Sequence, residues 1–224
     1  MRALSVAVVL GALLAPAAQA RSVVIGHSVA GRPITAIQLG NANAPVRILV
    51  VGCIHGNEPA GIAIARRLAK LTPPGRVALW IVPVLNPDGV AAGTRQNAHG
   101  VDLNRNFPSA WNDLEGIYDS GPRPLSEPES RAAAGLIRRV RPTISIWYHQ
   151  HLRVVDKSGG SVAIERKYAR SVGLPLVQLP RYPGSVTTWE NNVLSRSTAF
   201  VVELPAGRLS AAAVERHARA VLSL

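Results

Sequence analysis

From Val46 to Gly52 the chain reads VRILVVG, an apolar run broken by one charge near its start. Such a run suits a strand covered on both faces, the kind found inside parallel sheets. Ahead of it, residues 22–27 (SVVIGH) and 33–38 (PITAIQ) flank the turn residues Ala30-Gly31-Arg32 and predict a β-hairpin. Behind it, the segment from Pro59 to Leu71 places Ile62, Ile64, Leu68 and Leu71 at helical intervals. Arg76 to Val84 (RVALWIVPV) returns to strand character, and from Asn86 to Gly121 no period is sustained. Ser126-Glu127-Pro128-Glu129 has the form of a capping box with proline in the first turn, predicting a helix to about Val140. Strand Thr143–Tyr148, helix 161–172, strand Leu176–Leu179, helix 186–195, strand Thr198–Leu204 and helix Ser210–Leu222 complete the series. Alternating strands and helices predict a single-domain α/β fold with a mixed, mostly parallel sheet and helices on both faces. There is no internal repeat, low-complexity linker or sign of a second domain.

The start of the chain stands apart from this pattern. Met1-Arg2, the apolar run Leu4 to Leu14 and the small-x-small site Ala18-Gln19-Ala20 together read as a secretory signal peptide. Residues 1–20 are therefore expected to be removed on export, leaving a secreted or periplasmic domain at 21–224; an uncleaved anchor is the alternative. The run is short for a membrane span, and no later stretch is longer and apolar, so none is expected in the mature chain.

Composition narrows the class. With 224 residues, 47% hydrophobic and 17% charged, the chain has the apolar content for a core and is not disordered. Its single cysteine excludes a disulfide framework and zinc knuckles. A formal net charge of +12 implies solubility and general attraction to polyanions. No nucleic-acid-binding motif accompanies it, so no specific nucleic-acid partner is expected. The arginines around 123–141 read as a solvated helix face.

Chemistry concentrates where periodicity fails. His55-Gly56-Asn57-Glu58-Pro59 directly follows the buried strand, and an imidazole and a carboxylate three residues apart can converge on one cation there. His149 follows strand 143–148 and Glu203 ends strand 198–204. If these strands run parallel to 46–52, all four groups emerge on one sheet edge, where open α/β sheets place their ligands. Glu203 is unusual in itself, since a lone acid closing the apolar run Ala199–Val202 needs a partner or a task. Two histidines and a glutamate are a known three-ligand zinc set with a fourth position open. Spacing alone leaves His151 as a rival to His149. Cys53 reads as a small buried hydrophobe, and His27, His99 and His217 as surface or loop residues.

The ordered series of motifs is more specific than any one of them. It runs from Ile25-Gly26 and Gly31-Arg32-Pro33 through His55-Gly56-Asn57-Glu58 and Asn86-Pro87-Asp88-Gly89 to Gly100-Val101-Asp102-Leu103-Asn104-Arg105-Asn106-Phe107-Pro108. Gly121-Pro122, Ser126-Glu127-Pro128-Glu129, His149 and Val202-Glu203-Leu204-Pro205 follow. In this the chain resembles the zinc metallocarboxypeptidases of the funnelin type, and among them the short murein peptide amidase-like group. The resemblance implies one Zn2+ held by His55, Glu58 and His149, with the pattern His-x-x-Leu favouring His149 over His151. It implies Glu203 as general base, Arg95 as the cation over the carbonyl oxygen, and Asp102 behind His55. Asn104 and Arg105 would hold the terminal carboxylate of a peptide substrate. That substrate is expected to be a peptide with a free C-terminal carboxylate, such as a cell-wall peptide cut at a γ-D-glutamyl–diaminopimelate bond. A zinc deacylase resembling aspartoacylase and succinylglutamate desuccinylase, and an inactive wall-peptide-binding module, are the alternatives. Tyr182 stays outside the catalytic set.

Overall fold

The computed structural model describes residues 20–224; the candidate leader falls outside them except for Ala20. The hairpin forms as β1 (Arg21–His27) and β2 (Pro33–Leu39), and the buried runs as β3 (Val46–Val51) and β4 (Val77–Val82). The remaining strands are β5 (Ile144–Asp156), β6 (Leu176–Val177) and β7 (Thr198–Pro205). β1 pairs antiparallel with β2, and β2 antiparallel with β4. From β4 inward the pairing is parallel, β4 to β3, β3 to β5 and the start of β5 to β7. The mixed, mostly parallel sheet predicted from the alternation of elements is therefore present.

Side-chain alternation along the central strands divides the core in two. Ile48 and Val50 of β3, Leu79 and Ile81 of β4, and Ile146 and Tyr148 of β5 face one layer. That layer is closed by α1 (Ala60–Leu68), α4 (Val162–Val172) and α6 (Ala211–Leu222), which present Ile64, Tyr168 and Val221. Leu49, Val51 and Trp147 face the other, closed by α3 (Pro128–Val140) and α5 (Val186–Val193) through Ile137 and Trp189. The arginines of α3, Arg131, Arg138 and Arg139, point to solvent.

Four features depart from the sequence expectation. First, β5 runs on to Asp156, well past Tyr148. Its register with β7 advances from Ile144↔Thr198 to His151↔Pro205 and then runs backward, with Val154 opposite Glu203 and Val155 opposite Val202. The chain thus hooks around the end of β7, with Arg153 in the left-handed region at φ 61°. The polar sequence QHLR at the hook carries no strand signal, because its register comes from β7 rather than from a local alternation.

Second, the segment 86–121 contains a short helix, α2 (Pro87–Ala92), opened by Asn86, whose Oδ1 accepts the Gly89 N–H at 2.8 Å. Third, Ser126-Glu127-Pro128-Glu129 is not a capping box. The N-cap of α3 is Glu127, whose side chain makes no cap, while Ser126 Oγ donates to Glu127 at 2.7 Å. Glu129 is buried and accepts from Val29 N and Asn97 Nδ2, both at 3.0 Å, so the motif anchors two loops instead. Fourth, His217 is buried rather than exposed, its Nδ1 within 2.7 Å of the Tyr168 hydroxyl, which itself meets Tyr148 at 2.7 Å. Burial, with Arg216 nearby, lowers its pKa to about 4.

Glu190 of α5 is wholly buried against Ser145 (2.5 Å) and Ser197 (3.2 Å). Burial pushes its pKa from 4.5 up to about 7 despite the hydroxyls and Trp147. An acid with a raised folded pKa contributes fully below its unfolded value and loses that contribution as pH rises through the folded one. Glu190→Gln should therefore gain on the wild type between pH ~5 and ~8, by at most about 3 kcal/mol. Thermal midpoints of the two proteins across that range check this; a pH-independent gap would refute it.

Candidate active site

The parallel strands β3, β5 and β7 bring their carboxyl ends to one edge, as the sequence suggested. His55 and Glu58 lie on the turn between β3 and α1, and Glu58 N donates to the His55 carbonyl at 3.0 Å, which closes it. This turn is pressed onto α2: a Cβ on Gly56 would overlap the Gly89 carbonyl, so glycine is required at the contact. α2 is in turn tied to the hairpin. Asp88 accepts from Ser28 Oγ and Ala30 N, each at 2.9 Å, and from Arg32 Nη1 at 2.5 Å. The Gly31-Arg32-Pro33 and Asn86-Pro87-Asp88-Gly89 motifs therefore brace the metal-binding turn from behind.

His149 reaches the same point from β5. Its Nδ1 is 3.1 Å from His55 Nδ1 and 3.0 Å from Glu58 Oε2, and His55 Nδ1 is 3.0 Å from Glu58 Oε1. All three residues are buried, and among the described residues they are the group able to hold a metal. His151 is exposed on the rim, because the hook turns it away from the ligand set. Spacing left the two histidines open; the tertiary structure selects His149.

The donor chemistry fits zinc. Asp102, fully buried, lies 3.0 Å from His55 Nε2 and also accepts the Asn104 N–H at 2.9 Å and Arg95 Nε at 2.9 Å. An ionised Asp102 accepts only, so the His55 proton is assigned to Nε2 and Nδ1 is left with a free lone pair. That lone pair, the Glu58 carboxylate and His149 Nδ1 crowd together with at most one proton among them, whereas one divalent cation satisfies all three. Ligand atoms around a tetrahedral zinc with bonds of ~2.0–2.1 Å lie about 3.3–3.4 Å apart, close to the spacing here.

Electrostatics points the same way. Burial disfavours a charged Glu58, yet His149 and His55 hold its carboxyl far below the usual range. Asp102 behaves alike: burial opposes ionisation, but His55, Arg95 and Arg105 overcome it. Burial also opposes a charged His55, and Asp102 and Glu58 raise its pKa nonetheless. Cys53 behind the turn is pushed up to about 12 by burial and by Glu58, and its thiol donates to the His55 carbonyl at 3.0 Å, outside the group able to hold a metal.

The other predicted residues line one cavity with the triad, namely Arg95, Asn104, Arg105 and Glu203. Glu203 on β7 stands opposite His149 in the sheet register, so the two project to the same side at neighbouring positions. Arg95 bridges Asp102 and Glu58 Oε1, at 2.9 and 3.0 Å. Arg105 Nη1 donates to the Asn104 carbonyl at 2.8 Å, and Asn104 Oδ1 accepts the Val186 N–H at 3.0 Å. Tyr182, set aside on sequence, stacks on Arg105 with its ring 4.5 Å from the guanidinium carbon. Gly184 lies against the Arg105 backbone, where a Cβ would overlap the carbonyl. Asp156 and Arg181 also line the cavity, and no motif singled them out.

A sequence model of the zinc carboxypeptidases (Peptidase_M14) matches residues 13–73 and 74–162, and the chain belongs to that family. It is a zinc-dependent hydrolase of peptide bonds. Among its relatives, murein peptide amidase A of Escherichia coli (strain K12) is 33% identical over 181 residues, covering 73% of this chain and 74% of the relative. Murein peptide amidase A of Vibrio campbellii is 30% identical over 216 residues, 89% of this chain and 85% of the relative. The crystal structure of murein-tripeptide amidase MpaA from Escherichia coli O157 matches with a TM-score of 0.73 at 28% identity, covering 90% of both chains. Bovine thrombin-activatable fibrinolysis inhibitor matches with a TM-score of 0.75 at 19% identity over 91% of this chain and 86% of that one, a likeness of fold alone.

Three substitutions probe the metal set. His149→Ala should lose zinc while His151→Ala keeps it, as metal analysis after dialysis will show. Asp102→Asn should weaken zinc about 10–100-fold in competition with a chelator, because the ring it steadies loses its fixed tautomer.

Proposed function

We propose that this chain is an exported amidase of cell-wall peptides, cutting the bond that joins a C-terminal residue such as diaminopimelate to a γ-D-glutamyl group. What carries the reading is one cavity that holds the metal triad, the Glu203 carboxylate and a guanidinium at Arg105. The murein peptide amidases that match most of the chain support the substrate class, and the leader-like residues 1–20 support export. No helix among the described residues is long and apolar enough to cross a membrane.

When bound, zinc supplies a Lewis acid that polarises the carbonyl and brings the pKa of a water towards ~7. Arg105 and Asn104 hold the substrate's terminal carboxylate, and the planar guanidinium offers two parallel donors for it. That clamp sets which amide bond lies beside the triad. Glu203 takes the proton from the attacking water and delivers it to the leaving nitrogen, the double role that suits a carboxylate within reach of both. Arg95 faces the carbonyl oxygen as negative charge develops there, and its anchorage on Asp102 and Glu58 spares it reorganisation during the reaction. His55, steadied by Asp102, keeps its ring fixed throughout.

The deacylase and inactive-module readings are separated by one assay. Purified protein is offered a wall tripeptide, N-acetylaspartate and a peptide ending in arginine, with and without chelator. Chelator-sensitive release of free diaminopimelate is expected; acetate release or no turnover would overturn the amidase reading. Glu203→Gln should lower kcat by roughly 10³-fold or more while retaining zinc. Arg105→Ala should act chiefly on KM, raising it about 10–100-fold through loss of a charge-assisted pair. Steady-state kinetics and metal analysis read both.

A further inference from the structure

Three arginines and three carboxylates line the cavity, and the partners of the arginines differ. Arg95 is shared between Asp102 and Glu58, and Arg105 belongs to the carboxylate clamp. The third, Arg181, precedes Tyr182, whose ring stacks on Arg105, and lines the same cavity. Of the carboxylates lining the cavity, Glu58 is a metal ligand and Glu203 stands beside His149. Only Asp156 remains to balance Arg181.

Asp156 is buried at the far end of the β5 hook and accepts three hydrogen bonds. Its Oδ1 accepts the Leu179 N–H at 2.8 Å, and its Oδ2 accepts Ser158 Oγ at 2.7 Å and Arg181 Nη1 at 2.8 Å. A second Arg181 nitrogen, Nη2, donates to the Lys157 carbonyl. The guanidinium is thus tethered on one edge. It has five N–H donors, of which these contacts use two, and its side chain is 41% exposed. An oriented cation with spare donors faces the cavity, while the carboxylate beside it, Asp156, is already committed to that cation and to two further donors.

We infer that Arg181 selects the leaving residue by binding a carboxylate at the far end of its side chain, with Asp156 as the positioning residue that holds the guanidinium. This rests on the amidase reading and deepens it. A leaving residue bound by Arg105 through its own carboxylate directs its side chain along the floor past Tyr182 towards Arg181. Thr187 and Thr188 in the same wall supply hydroxyl acceptors for an ammonium beside that carboxylate. Diaminopimelate has this form: it is lysine with one more carboxylate on the carbon bearing the side-chain amine. The two residues therefore make a matched pair that isolates the carboxylate.

The experiment compares kcat/KM on γ-D-glutamyl tripeptides ending in meso-diaminopimelate or in lysine. Wild type should favour diaminopimelate by about 100-fold, since a site built to bind a polar group rejects the analogue lacking it. In Arg181→Gln that ratio should fall below about ten, and Arg181→Lys, which keeps the charge without the fork, should lie between. Asp156→Asn should raise KM for the diaminopimelate peptide several-fold while kcat moves little, the sign of a loosened guanidinium. A ratio in Arg181→Gln within about threefold of wild type overturns the assignment, as does an equal loss on both peptides in both Arg181 variants with zinc retained. A wild type releasing both residues equally overturns this inference and leaves the amidase intact. A wild type releasing neither overturns the amidase reading, and this inference with it.

Discussion

One ionised carboxylate without access to water, Asp102, organises the centre of this protein. It meets His55 Nε2, Arg95 Nε and the Asn104 N–H, all within 3.0 Å. A charge in that setting is tolerated because both oxygens have hydrogen-bond partners, two of them cationic or polar side chains, and losing one partner of a buried pair costs about 3–5 kcal/mol. Its neighbours are thereby fixed as well. The His55 tautomer, the direction of Arg95 and the start of the turn that carries Asn104 and Arg105 all follow from hydrogen bonds to two oxygens. His55 of the candidate metal set, the Arg95 proposed to face the reacting carbonyl and the turn proposed to clamp a terminal carboxylate share one anchor.

The sheet supplies the second constraint. Parallel strands end at the same edge, so His55 after β3, His149 on β5 and Glu203 on β7 meet although 148 residues separate the first from the last. Register then places Glu203 beside His149 rather than merely near it. The hook of β5 around β7 has two consequences. It turns His151 out of the metal set, and it returns the chain to deliver Asp156 beneath the cavity, where Arg181 docks.

Between Asn86 and Ser126 the chain is ordered by side-chain hydrogen bonds to backbone and to other side chains instead of by a repeating apolar face. Asn86 caps α2, Asn97 Nδ2 joins Glu127 and Glu129 at 2.8 and 3.0 Å, and Asn106 Nδ2 reaches the Ser120 carbonyl at 2.8 Å. Periodicity carries no trace of such contacts, which is why this segment reads as irregular and why the acids of Ser126-Glu127-Pro128-Glu129 look like a helix cap. The same limit hid His217, whose partners Tyr168 and Tyr148 lie on other elements.

The sequence by itself determined the layered α/β architecture, since continuous apolar strands and one-sided helices leave few ways to bury themselves. It also pointed to a candidate metal set, His55, Glu58 and His149, through an ordered series of motifs whose residues have few other uses together, and the fold gathers these three. What only the tertiary structure decided were relations between distant groups: the turning of His151 out to the rim, Gly56 against Gly89, and the pairing of Asp156 with Arg181. Those depend on strand register and on close backbone approach, quantities set by packing across the fold, to which no local run of residues gives access.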